Sequence, residues 1–126
     1  MYKRRCYMVV ATCKEKINLR EANSLFNNYI ANKSRGHCVF HDHFLDVPGG
    51  IAFFEVNSKE QKESLYMKGE LPNWELIIHP LILSRSASGF VYQLDYTSSQ
   101  YGGVPISKLL ERIEEAENNN IDPSDS

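Results

Sequence analysis

The amino-acid sequence predicts one small α+β domain of β-α-β-β-α-β order, followed by a further strand and helix. Three observations carry this. Two helical stripes each open on a capping-box pattern, Asn18 with Glu21 and Ser58 with Gln61. Short runs rich in β-branched and aromatic residues alternate with those helices. A Pro48-Gly49-Gly50 turn separates two of the runs and folds them into an antiparallel hairpin.

The elements follow in order. Cys6 to Thr12 reads as a central strand. Leu19, Ala22, Leu25, Phe26, Tyr29 and Ile30 recur at helical spacing behind the Asn18 cap, and Gly36 is the expected stop. His37 to Leu45 and Ile51 to Val56 are the hairpin strands. Ser58 opens a short helix with a thin apolar face, expected to run to about Lys68 and end at Gly69. After Leu71-Pro72-Asn73, Trp74 to His79 forms a fourth strand that Pro80 ends. Phe90, Tyr92, Leu94 and Tyr96 alternate with Val91, Gln93 and Asp95, which predicts a fifth strand. Pro105 suits the first turn of a last helix with the stripe Ile106, Leu109, Leu110, Ile113 and Ala116. Its glutamates Glu114, Glu115 and Glu117 oppose the helix dipole, so this helix is expected to depend on docking. Residues 1–117 are thus read as one domain, with an extension from about residue 84 and a disordered polar tail over 118–126.

At 126 residues the chain suits one domain. Its formal charge of −2 gives no general attraction to phosphate backbones or anionic lipid, and Lys3-Arg4-Arg5 is short enough to be a solvated strand start. The apolar stretch Met8-Val9-Val10-Ala11 is too short for a secretory or membrane-spanning segment. Cys6, Cys13 and Cys38 show no C-x-x-C spacing and are expected to be reduced thiols of a cytoplasmic protein.

Strand side chains alternate, so each strand divides into two rows. Ala52, Phe54 and Val56, with Trp74, Leu76 and Ile78, are expected under the helices. The other face then gathers Ile51, Phe53, Glu55, Glu75, Ile77 and His79, together with His37, Val39, His41 and His43 from the second strand. Cys38, Phe40 and Asp42 fall on the helix side, where an unpaired Asp42 would be costly. Apolar groups so concentrated on an uncovered sheet face predict a homodimer. The inference depends on register, which one bulge inverts.

Two chemistries fit this pattern. A histidine oriented by a carboxylate transfers protons near neutral pH, which nominates His41 or His79 as base or acid beside Glu55. Alternatively, His41 and His43 lie about 6.6 Å apart on one face, and Glu55 or His79 could join them on a metal ion. The reading adopted is the metal-free, cofactor-free one, with Phe53, Trp74 and Tyr7 lining an apolar pocket. No nucleophile elbow, P-loop or G-x-G-x-x-G occurs.

Gly50 to Val56, the capped helix after it, and Leu71-Pro72-x-Trp74 running through the fourth strand to Pro80-Leu81 resemble the dimeric α/β-barrel superfamily. That group has ferredoxin-like subunits and includes muconolactone isomerase-like, YCII-related and antibiotic-biosynthesis-monooxygenase-like proteins. The resemblance covers about the first two-thirds of the chain. It implies a face-to-face homodimer that binds or transforms a small organic molecule, such as a cofactor-free isomerase or monooxygenase acting on an organic acid or aromatic compound. A non-catalytic binding or regulatory protein is the alternative. The Asp-Pro-Phe stretch typical of YCII-related proteins is absent. Gly50 to Val56 is also similar to the third-strand signature of RNA-recognition motifs. Here, however, Ile51 replaces a stacking aromatic, Gly49 stands in place of a basic residue and Val56 replaces the last aromatic, which disfavours nucleic acid as a partner.

Overall fold

The computed structural model describes residues 2–118, with side chains to residue 112. Its elements are β1 (Arg5–Cys13), α1 (Leu19–Ala31), β2 (His37–His43), β3 (Gly49–Val56), α2 (Lys59–Tyr66), β4 (Trp74–Pro80), α3 (Ala87–Gly102) and α4 (Ile106–Asn118). Both predicted caps form. Asn18 Oδ1 accepts the Glu21 N–H at 2.7 Å, and Ser58 Oγ accepts the Gln61 N–H at 3.1 Å. Each satisfies a backbone donor that the first helical turn leaves without a partner. Helix α2 stops at Tyr66, about two residues earlier than expected.

The four strands form an antiparallel sheet in the order β2-β3-β1-β4. With the β-α-β-β-α-β sequence of elements, this is a ferredoxin-like fold. Helices α1 and α2 lie on one face. Tyr7, Val9, Ala11, Ala52, Phe54, Val56 and Trp74 from the sheet are buried with Ala22, Phe26, Tyr29 and Leu65 from the helices. Phe26 stacks between Tyr29 and Trp74, with ring centroids 6.0 and 6.2 Å away. The Tyr29 hydroxyl donates to the Leu65 carbonyl at 2.6 Å and ties α1 to α2. Burial holds the Tyr29 phenol well above the usual range, so it stays neutral in that role.

A charged residue closes the same layer. Arg35, only 2 % exposed, donates to the carbonyls of Ser64, Tyr29 and Met67 at 3.1, 3.0 and 2.8 Å. Its guanidinium lies 4.0 Å from the Tyr29 ring centroid and its Nη1 is 3.0 Å from Glu70 Oε1, close enough for an ion pair but out of line for a hydrogen bond. One side chain therefore joins the end of α1 to the end of α2. Burial would raise the Glu70 carboxyl, but its own N–H, the Asn32 amide and Arg35 outweigh that and hold it below the usual range.

Two expectations are corrected. The predicted fifth strand over residues 90–96 is part of α3, and so the C-terminal extension carries a helix where a strand was expected. The period-2 alternation of aromatics was misleading because the segment has its own helix start. Ser86 Oγ accepts the Gly89 N–H at 3.0 Å, and the Phe90 N–H reaches the Ser86 carbonyl at 2.8 Å. The second correction concerns β2. Cys38 pairs with Phe54 but Phe40 with Phe53, so Val39 is a bulge. Beyond it every side chain is on the opposite face from the one alternation assigns.

The chain divides into two compact units, one ending at Phe90 and the other beginning at Val91. In the second, Asp95 Oδ1 accepts the Ile106 N–H at 2.9 Å and caps α4. The predicted tail over 118–126 overlaps α4 at Asn118, and the rest of it lies outside the described residues, as do the side chains of Ile113 and Ala116.

Candidate functional site on the open face of the sheet

The face opposite α1 and α2 is read from the register. Cys6, Met8, Val10 and Thr12 of β1 point to it, with Ile51, Phe53 and Glu55 of β3 and Glu75, Ile77 and His79 of β4. The bulge adds Phe40 and Asp42, while His37, ahead of it, already faces this side opposite Glu55. One row crosses all four strands as Phe40, Phe53, Met8 and His79. The next holds Asp42, Ile51, Val10 and Ile77. Phe40 is 49 % and Ile77 45 % exposed, and Met8, Val10, Ile51 and Phe53 are half-buried.

Aromatic packing shapes one end. The Phe53 ring lies 6.3 Å from Phe40 and 4.9 Å from Phe90. Phe90 is buried on the first turn of α3, so that turn covers the β3 end of the face. The face is therefore not wholly bare, as the sequence had suggested.

Glu55 has a definite task there. One oxygen accepts the Ala87 N–H at 2.6 Å and the other the Asn57 amide at 3.0 Å. The Ala87 bond, then the Asn57 bond, holds its carboxyl below the usual range, with Arg4 and His37 contributing charge. A carboxylate at the start of a helix also complements the helix dipole. The group thus fixes where α3 begins. Because its folded pKa is depressed, the stability it contributes is present above the unfolded carboxyl pKa and is lost as pH falls through the lower folded value. Glu55→Gln is expected to cost about 1 kcal/mol at pH 7 and to reduce the loss of stability seen on acidification below about pH 4.5. Urea melts of both proteins at pH 7 and pH 3.5 check this. Equal stability at pH 7 would show that the carboxylate does not hold the helix.

The nominated site residues separate into distinct surroundings. His79 stands exposed on the open face beside Met8. Glu55 is on the same face but two strands away, about 10 Å across the sheet. Its direct cross-strand neighbour is His37, which the sequence reading did not nominate. His41 lies on the helix side of β2, away from both, in correction of its expected row. Its ring is 5.4 Å from that of His43, which packs edge-on at 5.9 Å against Phe26. Burial and then the charge of His41 lower the His43 pKa. The two imidazoles share one side of β2 as spacing predicts and meet edge to face, but Glu55 and His79 are on the other face of the sheet. Among the described residues no three His, Cys, Asp or Glu side chains are grouped to hold a metal ion. Asp42, expected under the helices, is on the open side and exposed, where its Oδ1 accepts the His43 N–H at 2.8 Å. Of the three pocket residues, Phe53 is on the open face, whereas Tyr7 and Trp74 are buried in the helix-side core.

Cys6 is fully buried with Sγ 3.3 Å from the Ser86 carbonyl, and burial pushes its pKa up to about 11. Among the described residues no helix is long and apolar enough to cross a membrane. No family model matches the chain, and no curated protein is similar enough to it to count as a relative.

Proposed function

We propose that this protein binds a small aromatic or organic-acid molecule on the open face of its sheet, in a homodimer whose two open faces meet. The observation that carries the reading is the continuous apolar surface of Met8, Val10, Phe40, Ile51, Phe53 and Ile77, bordered by His79, His37 and Asp42. An apolar floor with a few polar groups at its rim is the usual make-up of a small-molecule site. Water-exposed Phe40 and Ile77 favour coverage by a second subunit. Binding is better supported than catalysis, because Glu55 is committed to the start of α3 rather than to His79. A second reading, cofactor-free proton transfer, is favoured by one feature. His79 closes the Phe40-Phe53-Met8 row, with its imidazole at the edge of the apolar floor.

Ile77→Asp separates these claims. The substitution sits on the open face and leaves the helix-side core intact. Light scattering at micromolar concentration is expected to give a dimer for the parent and a monomer for Ile77→Asp. A parent that is monomeric defeats the face-to-face arrangement. A thermal-shift screen against small aromatic and carboxylic acids is expected to raise the parent's Tm, by roughly 2.7 kcal/mol of stabilisation at a hundred times the dissociation constant. Ile77→Asp should cut the shift back to what an acid bound outside the open face contributes. A shift that persists unchanged places the ligand elsewhere. Turnover abolished by His79→Ala with binding retained would establish the proton-transfer reading.

A further inference from the structure

The segment that leaves β4 and leads to α3 builds a second, separate feature. It is pinned to β1 from both ends. The Leu81 N–H donates to the Cys6 carbonyl at 2.9 Å, and the Cys6 N–H donates to the Ser84 carbonyl at 3.0 Å. The Cys6 thiol adds a bond to the Ser86 carbonyl. Arg5 reinforces the frame, with Nη1 donating to the carbonyls of Leu81 and Ile82 at 2.7 and 2.9 Å. Between these residues lies an open cleft of about 290 Å³, lined by Arg5, Pro80, Leu81, Ile82 and Arg85.

The chemistry of that lining is one-sided. Two guanidinium groups border the cleft and no carboxylate does. Among the described residues, Arg85 makes no hydrogen bond or ion pair, and Arg5 makes none through Nε or Nη2. Glu55, which bonds the backbone two residues beyond Arg85, has its oxygens committed to Ala87 and Asn57. Two guanidinium groups without a carboxylate partner on the lining of one cleft, in a chain of net charge −2, make a local positive field that a bound anion would satisfy. The rest of the lining is apolar, and Ile82 is 82 % exposed.

We propose that Arg5 and Arg85 anchor the carboxylate of a small organic acid whose apolar body rests on Pro80, Leu81 and Ile82. A guanidinium presents paired N–H donors that match a planar carboxylate, and Arg5 is held in place before the ligand arrives. The apolar floor selects against an anion with no apolar part, such as inorganic phosphate. At about 290 Å³ the cleft falls just below the usual range of ligand clefts, about 300 to 1,000 Å³, which suits only a small acid. The site is on the connection after β4 rather than on the open face, and it does not depend on ligand binding there.

Titration of the full chain with sodium benzoate and sodium hexanoate, followed through the Ile82 methyl and arginine side-chain NMR signals, tests the proposal. Saturable shifts are expected for both acids, with benzamide and hexanol giving none. Arg85→Ala, a surface change that should leave the Tm unaltered, is expected to weaken binding at least tenfold. Arg5→Lys, which keeps the charge but loses the fork, should weaken it as well. Ile77→Asp should leave these shifts intact, which separates this cleft from the open face. No saturable shift up to about 10 mM acid, equal response to benzamide, or an Arg85→Ala protein that binds like the parent would each overturn the proposal. Phosphate displacing benzoate at equal concentration would overturn the apolar half of it. Response only to anionic vesicles would mean a lipid surface instead of a free acid.

Discussion

Arg35→Ala is expected to destabilise the protein by about 3–5 kcal/mol, because truncating one partner of a buried charged network leaves the others unsatisfied. The Met67 carbonyl would lose its donor, the carbonyls of Tyr29 and Ser64 would keep only the N–H of Asn32 and Met67, and Glu70 would lose its counter-charge. Part of the loss is packing, since the guanidinium also covers the Tyr29 ring. For a chain of this length the effect corresponds to a fall in Tm on the order of 10–20 °C. Arg35→Lys is expected to recover less than half of it. A single ammonium cannot address three carbonyls at the positions a planar fork reaches. Calorimetry and urea unfolding of the three proteins measure this directly. A lysine variant that melts within about 2 °C of the parent would mean that charge alone, not the fork, holds the two helix ends.

Gly50→Ala is the second large effect. The sequence offered Gly49 and Gly50 as turn glycines, and the structure places Gly50 inside β3, buried and paired with His43. A Cβ there would stand 2.5 Å from the Asp42 carbonyl oxygen and 2.6 Å from Phe26 Cε2. The ring cannot retreat freely, because it is stacked between Tyr29 and Trp74. One extra methyl at a packed site typically costs 1–3 kcal/mol, and with backbone on one side the upper end applies, about 3 kcal/mol. Phe26→Leu in the Gly50→Ala background tests the cause, since a smaller neighbour should return part of the loss. If the double variant is no more stable than the sum of the single changes predicts, the Phe26 clash is not the reason.

The first eighty residues were largely readable because their signals are local. The caps at Asn18 and Ser58 and the apolar stripe of α1 act within a few residues of where they stand. The β2–β3 hairpin follows from the turn residues between its strands. The row Ala52, Phe54 and Val56 was also assigned to the correct side, because an unbroken apolar row on a strand has one stable destination. The helix α3 was misread for the converse reason. Its aromatics satisfy period 2, and what fixes its start includes a carboxylate reaching over from β3.

The candidate site shows the same division. The sequence by itself determined the β-α-β-β-α-β order of elements, the β2–β3 hairpin, the helix-side rows of β3 and β4 and the apolar character of the opposite face, since each follows from alternation, capping and turn chemistry. Only the tertiary structure decided which polar groups share that face. The extra residue at Val39 exists only relative to the partner strand, and it sends Phe40 and Asp42 to the open side and His41 and His43 to the helix side. It likewise decided that Glu55 holds a helix in place and that Arg5 and Arg85 border one cleft. A side chain's type is written in the chain, but its neighbours are set by pairing register and by contacts between residues far apart in sequence.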